Sequence, residues 1–352
     1  MTGQPIQQHT MVRRSRRGFT LTELLVVIAI IAILAGLSFA GLQGATEQAR
    51  EARTRAVLAK LDQLIMEKYD TFTTRSIRVN PAFQQSGMST TPQTFIAQVR
   101  LYTLREQMRL ELPDRISDLC TNAERTGDFA DLTLNAVDIF NVERASISGI
   151  ALNPGMPSIT RTYKRKAGIA IANGSGWTSE FGGAECLYLI VSTMRDGDKS
   201  ALEFFRSEEI GDVDGDGMPE FLDGWGRPIL FIRWAPGYVN NPDNGRFAPT
   251  LQVNNGVLSP DPFDPLRVDP RWGLNTNPFY KPYALRPLIM SGGPDKEYSI
   301  FVNTRAAMDL PTASDLPNDP YVGLGTASGM SGDPDPTNGY GDDLTNHYQG
   351  GL

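Results

Sequence analysis

The feature that most constrains this chain is an apolar run, residues 24–42, nineteen residues long and without a charge. At about 1.5 Å rise per residue, a helix of that length spans about 28 Å, close to the hydrocarbon thickness of a bilayer. Arg13, Arg14, Arg16 and Arg17 precede it, and no acidic residue occurs in residues 1–18. That asymmetry holds the N-terminus in the cytoplasm and sends everything after Leu42 across the membrane. Glu23 breaks the pattern. A carboxylate inside an apolar segment costs about 2.5–3.5 kcal/mol on insertion scales, so a specific partner for it is expected.

Three plainer readings compete. For a secretory signal peptide the run is long, and its A-x-A-like candidate at residues 29–32 falls in mid-run. A simple signal anchor leaves Glu23 unexplained. A Glu that only complements the helix dipole leaves the Gly18-Phe19 junction unexplained. The block RRGFTLTELLVV, residues 16–27, resembles the type III signal of type IV pilins and type II secretion pseudopilins. The resemblance implies that a membrane aspartyl peptidase cuts after Gly18 and methylates Phe19, the new N-terminal residue. Glu23 then matches the family's acidic fifth mature residue, which serves assembly. An α+β, pilin-like fold is implied too: a long N-terminal helix, transmembrane and then amphipathic, packed on an antiparallel β-sheet head with large loop insertions. The implied partners are other pilin or pseudopilin subunits, the prepilin peptidase, an inner-membrane secretion platform and the lipid bilayer. The head would face the periplasm before joining a filament.

Composition agrees with export. The chain carries a net charge of −7, and loss of the four leader arginines takes the side chains to −11. So acidic a chain is a poor general ligand for nucleic acid. Its two cysteines, Cys120 and Cys186, would lie in an oxidising compartment, as a disulfide or as two buried thiols.

The chain reads in six stretches: a leader, 1–18; a transmembrane or filament-core helix, 19–42; an amphipathic stalk, 43–75; a helical and irregular insertion, 76–183; a β head, 184–305; and a flexible acidic tail, 306–352. Residues 45–72 lack Gly and Pro, and Leu58, Leu61, Ile65, Tyr69 and Phe72 recur at helical spacing. Thr91-Pro92 opens a helix that Pro113 ends. The basic run RTYKRK, residues 161–166, reads as a solvated loop, and residues 184–193 as a short buried helix. Residues 236–283 contain nine prolines and seven asparagines, an excursion expected on the filament surface. The tail has seven acids and no Lys or Arg, for which disorder is the default.

Asp212, Asp214 and Asp216 alternate, Gly217 follows, and Asp223 stands at the twelfth position. Oxygen ligands at positions 1, 3, 5 and 12, with Gly at 6, suit Ca²⁺ in an EF-hand-like loop. Position 12 is Asp rather than the usual Glu, and no clear helices flank the loop. A turn rich in Asp and Gly without metal remains the other reading. The D-x-W-G-x-P opening at 223–228 and the S-G-x-x-D turn at 291–295 resemble the C-terminal sheet of the G-type major pseudopilin of type II secretion. That family binds calcium in this loop region, which implicates Asp295 as well.

No catalytic constellation stands out, so an enzyme is not expected. His9 leaves with the leader and His347 sits in the tail. A structural subunit of a pseudopilus or pilus is favoured over a minor adhesin or ligand-binding tip protein. A membrane-tethered hydrolase, for which only the Asp-rich loops could speak, comes third.

Overall fold

A computed structural model describes residues 20–85, 92–119, 146–147, 149–152, 155–173, 177–178, 180–235, 238–241, 245–249, 257, 259–274, 281–298, 320–321 and 343–347. The chain divides into two compact units, residues 1–49 and 50–352. Helix α1 (Leu21–Thr74) runs for 54 residues and has part in each. Within the first unit, Leu21–Ser38 is long and apolar enough to cross a membrane, and its large apolar side chains are exposed on every side. A helix that is apolar all round needs lipid or protein to cover it.

Within the second unit α1 becomes one-sided. Val57, Leu58, Leu61, Ile65, Tyr69 and Phe72 are buried at three- and four-residue spacing, the stripe that helical periodicity predicts. Tyr69 donates its hydroxyl to Leu285 O at 2.8 Å, so the apolar face also makes a polar tie. After the short α2 (Ala82–Gln85) comes α3 (Pro92–Glu111), which opens on the expected proline and ends before Pro113. The hairpin β1 (Ser146–Ile147) and β2 (Ile150–Ala151) leads to α4 (Ser158–Asn173) and α5 (Gly182–Thr193). Residues 161–166 are therefore helical, a correction to the loop expected of so basic a run. Thr160, Tyr163, Lys164 and Ala167 are buried at helical spacing, and that periodicity outweighs the charges.

Two small antiparallel hairpins follow: β3 (Arg195–Asp196) with β4 (Lys199–Ser200), and β5 (Ile210–Gly211) with β6 (Glu220–Phe221). Strand β7 (Leu230–Ala235) precedes a further hairpin, β8 (Tyr238–Asn241) with β9 (Gly245–Pro249). The short α6 (Arg271–Leu274), β10 (Arg286–Ser291) and β11 (Leu344–Thr345) complete the described elements. Strands β11, β10 and β7 form a three-stranded antiparallel sheet in that order. Alternation along the strands divides its side chains between two clusters. Phe231 and Ile289 join the main core with α1 and α5, while Leu230, Ile232, Leu288 and Met290 form a second cluster. A long N-terminal apolar helix followed by helices and small antiparallel sheets is the mixed α+β, pilin-like architecture expected.

Several charged side chains are interior. Arg109 on α3 donates to Glu106 through Nε and Nη2, both at 2.9 Å, and to Asp118 at 3.3 Å. Arg233 on β7 donates to the same Asp118 at 2.8 Å and pairs with Asp114 at 3.2 Å. Burial pushes the Asp114 carboxyl up against the pull of Arg233. Asp118, under the same burial, is held below the usual carboxylate range by Arg233 and Arg109. The Asp-Pro excursion turns inward as well, where surface display was expected. Arg105 donates to Asp269 at 2.8 Å and Asp261 at 3.0 Å, and Asp264 accepts the backbone N–H groups of Val268 and Asp269. A buried guanidinium requires carboxylates, which draws the excursion onto α3. The tail, expected to be flexible throughout, supplies buried Tyr321 and the edge strand β11.

Candidate metal centre and membrane segment

Strands β5 and β6 pair Ile210 with Phe221 and Gly211 with Glu220. The Asp-rich sequence is thus the connection of a β-hairpin. Gly215 and Gly217 have φ of 77° and 99°, values that favour glycine and wrap the chain around its own carboxylates. Asp212 accepts the N–H groups of Gly215 at 2.8 Å and Gly217 at 3.1 Å. Asp214 accepts from Asp216 N at 3.3 Å and from the Thr178 hydroxyl at 2.5 Å. Asp216 accepts from Met218 N and Thr178 N, both at 2.7 Å.

The structure brings Asp212, Asp214 and Asp216 together and adds two carboxylates that sequence reasoning missed. Oxygens of Glu185, Asp214 and Asp216 lie within 4.8 Å of one another, as do those of Asp212, Asp214 and Glu220. Asp214 belongs to both groups. Glu185 comes from the first turn of α5 and Glu220 from β6; both are fully buried. The Trp177 indole N–H donates to Glu185 Oε2, and Val213 N donates to Glu220 Oε2 at 3.1 Å. The other oxygen of each, Glu185 Oε1 and Glu220 Oε1, is buried without a hydrogen-bond partner. Burial, reinforced by the Asp216 charge, pushes the Glu185 carboxyl up to about 11. Burial also raises Glu220 to about 8, with the loop aspartates adding to it. Asp216 is raised, again chiefly by burial.

Asp223 stands apart from both groups. Its Oδ1 accepts from Trp225 N at 2.8 Å and Arg227 N at 2.9 Å, and its Oδ2 accepts from the Ser291 hydroxyl at 2.7 Å. The chain leaves the loop as a strand, and three extended residues advance about 10 Å where a helix would advance about 4.5 Å. The twelfth position is therefore carried away from the loop, and Glu220 at the ninth comes to it. That ninth position was a signal available in the spacing, since EF-hand loops use it as well. Glu185 had none, lying 27 residues before Asp212 on another element. Asp295 is exposed and accepts from Glu297 N at 2.9 Å; neither group includes it. Cys186 is buried in α5, while Cys120 lies outside the described residues.

At the other end, Thr20 precedes α1 and Glu23 lies in its first turn. Glu23 Oε2 accepts from Thr20 N at 2.8 Å and from its hydroxyl at 2.9 Å, and Glu23 N donates to Thr20 Oγ1 at 3.2 Å. This reciprocal capping box occupies donors that a helix start otherwise leaves unpaired. The helix-start role considered for Glu23 thus has a defined geometry. Gly18 and Phe19 lie outside the described residues.

A separate cleft of about 760 Å³ is lined by Phe72, Ile96, Arg100, Leu104, Phe263 and Leu266, among others.

No curated protein and no solved structure matches the chain. Residues 13–39 match a family described as the prokaryotic N-terminal methylation motif. That motif implies processing by prepilin peptidase and assembly with other pilin subunits into a filament. With an apolar segment, Leu21–Ser38, that fits a single-pass membrane anchor, the chain carries the prepilin-type signal of the type IV pilin and pseudopilin family.

Proposed function

We propose that this protein is a structural subunit of a type II secretion pseudopilus or a related type IV pilus-like filament. Prepilin peptidase cleaves between Gly18 and Phe19 and methylates the Phe19 amine. Before assembly the N-terminus is cytoplasmic and the head periplasmic, the orientation favoured by the four leader arginines. The apolar part of α1 then leaves lipid for the filament core, and the function is structural, not enzymatic. The observation that carries this reading is the prepilin-type signal lying directly on the apolar helix, with Glu23 in its first turn. Mass spectrometry of the mature protein should find N-methylated Phe19 as the first residue. An intact leader on chains recovered from assembled fibres would refute the assignment.

A second reading, a ligand-binding tip subunit, is favoured by the cleft between α3 and the Asp-Pro segment. Its volume is in the range of small-molecule sites, and it combines apolar walls with Arg75 and Arg100. Stoichiometry separates the two, because a bulk subunit is abundant along fibres and a tip subunit is rare.

A further inference from the structure

We propose that Glu185, Asp212, Asp214, Asp216 and Glu220 form a calcium site in which α5 closes a β-hairpin loop. Among the described residues no Arg or Lys forms a salt bridge with any of them. The buried acids elsewhere in the head show what the fold does when it supplies its own cations. Asp261 and Asp269 have Arg105; Glu106 and Asp118 have Arg109; Asp114 has Arg233. Here five carboxylates converge with no such partner. Two of them keep a buried oxygen with no hydrogen bond at all, Glu185 Oε1 and Glu220 Oε1.

A buried carboxylate is normally paired, hydrogen-bonded or bound to a metal. Glu185 belongs to one three-carboxylate group and Glu220 to the other, and Asp214 is common to both. The proposed cation sits beside Asp214, the residue that the two groups share. The donors are all hard oxygens drawn from two separate elements, a set that suits Ca²⁺, with its larger radius and six to eight ligands at about 2.3–2.6 Å. Mg²⁺ requires a tighter octahedron and retains its waters more strongly. The backbone around the loop has been turned to orient the acids. The N–H groups of residues 213, 215, 216, 217 and 218 all donate into the cluster, and each bond fixes one carboxylate while leaving its remaining lone pairs for a metal. Of the five ligands only Glu185 lies off the hairpin, so the cation would join α5 to β5–β6 and act as a staple in the head.

The site provides its own probe. The Trp177 indole touches Glu185, so Tb³⁺ bound here lies close enough to be sensitised by tryptophan excitation. The full chain in detergent micelles, stripped with chelator, should show tryptophan-sensitised Tb³⁺ emission that Ca²⁺ reverses and equal Mg²⁺ does not. Asp214→Asn and Glu220→Gln should each weaken Tb³⁺ binding by about tenfold or more, since affinity follows ligand charge count. Asp295→Asn, outside the cluster, should leave it unchanged. Melting should occur several degrees higher in Ca²⁺ than in chelator. Glu185→Gln should remove that difference, because it takes away a carboxylate ligand while keeping an acceptor for Trp177. That variant also guards against misfolding, as its melting in chelator should match that of the parent. Absence of sensitised emission, emission indifferent to Asp214→Asn and Glu220→Gln, or equal melting in Ca²⁺ and chelator would overturn the proposal.

Discussion

Gly224 stands where a side chain has no room. A Cβ there would lie 2.4 Å from the carbonyl oxygen of Arg50 on α1, nearer than any van der Waals contact allows. The same residue donates its N–H to Thr54 Oγ1 at 2.8 Å, and Thr54 donates onward to Arg50 O at 2.9 Å. The turn is closed by Asp223, whose Oδ1 holds two N–H groups and whose Oδ2 holds Ser291. The D-x-W-G-x-P stretch is thus a device for seating a turn against a helix backbone. Because the obstacle is backbone, Gly224→Ala should destabilise the head by about 1–3 kcal/mol, within the usual range for overpacking, measured by denaturant titration of the full chain in micelles. Gly273→Ala, with open space at its Cβ, is the control. An unchanged midpoint for Gly224→Ala would show that the turn and helix separate freely.

Among the elements, β10 shows best how distant sequence is drawn into one sheet. It is the middle strand, with β7 on one side and β11 on the other. The two residues of β11 pair with Met290 and Ser291, and Asn346 extends the contact. Its side chain accepts Ile289 N at 2.8 Å and donates to Asp62 Oδ1 on α1 at 2.8 Å, while its own N–H donates to Ile289 O at 3.1 Å. Truncation after residue 342 would expose the edge of β10, and open edges invite pairing with other chains. Such a chain should melt lower and scatter more light on heating than the full protein. Asn346→Ala alone should cost about 1–3 kcal/mol, through the buried polar groups it leaves unpaired. A truncated chain that melts like the parent would mean that β11 merely rests on the sheet.

For the whole molecule the question is how copies come into register. Cleavage after Gly18 would create a positive amine next to the Thr20–Glu23 capping box. Two charges about 4 Å apart interact by roughly 4 kcal/mol at an effective dielectric near 20, and desolvation offsets much of it. Pairing of that amine with a neighbour's Glu23 would therefore act mainly on the axial stagger of packed helices. The box supplies the control for this idea. Gln serves a capping box as Glu does, so Glu23→Gln preserves the helix start and removes only the charge. Insertion and cleavage should persist in Glu23→Gln while assembly fails or becomes irregular, and Glu23→Asp should assemble in part. Electron microscopy of sheared fibres with immunoblots for cleavage reads both. Normal fibres from the Gln variant would leave Glu23 as a cap and nothing more.

Periodic and contiguous features were legible in the sequence alone: the apolar run with its arginines, the methylation motif, the stripe on α1, the limits of α3, the buried α5 and the alternating aspartates. Each is written in neighbouring residues whose spacing matches a helix, a turn or a bilayer. The reach of a carboxylate across the fold could not be read that way. Asp223 is twelfth in order, which points to the metal loop, and it leaves because the chain exits as a strand. Glu185 is one charge in an apolar stretch, yet it meets Asp214 and Asp216 from another element. Nothing in residue order pairs Arg105, Arg109 or Arg233 with particular acids of distant segments; the fold brings those carboxylates to them. Order along the chain determines local geometry and membrane depth, whereas the partner of a buried charge depends on which elements pack together, and that only the tertiary structure decided.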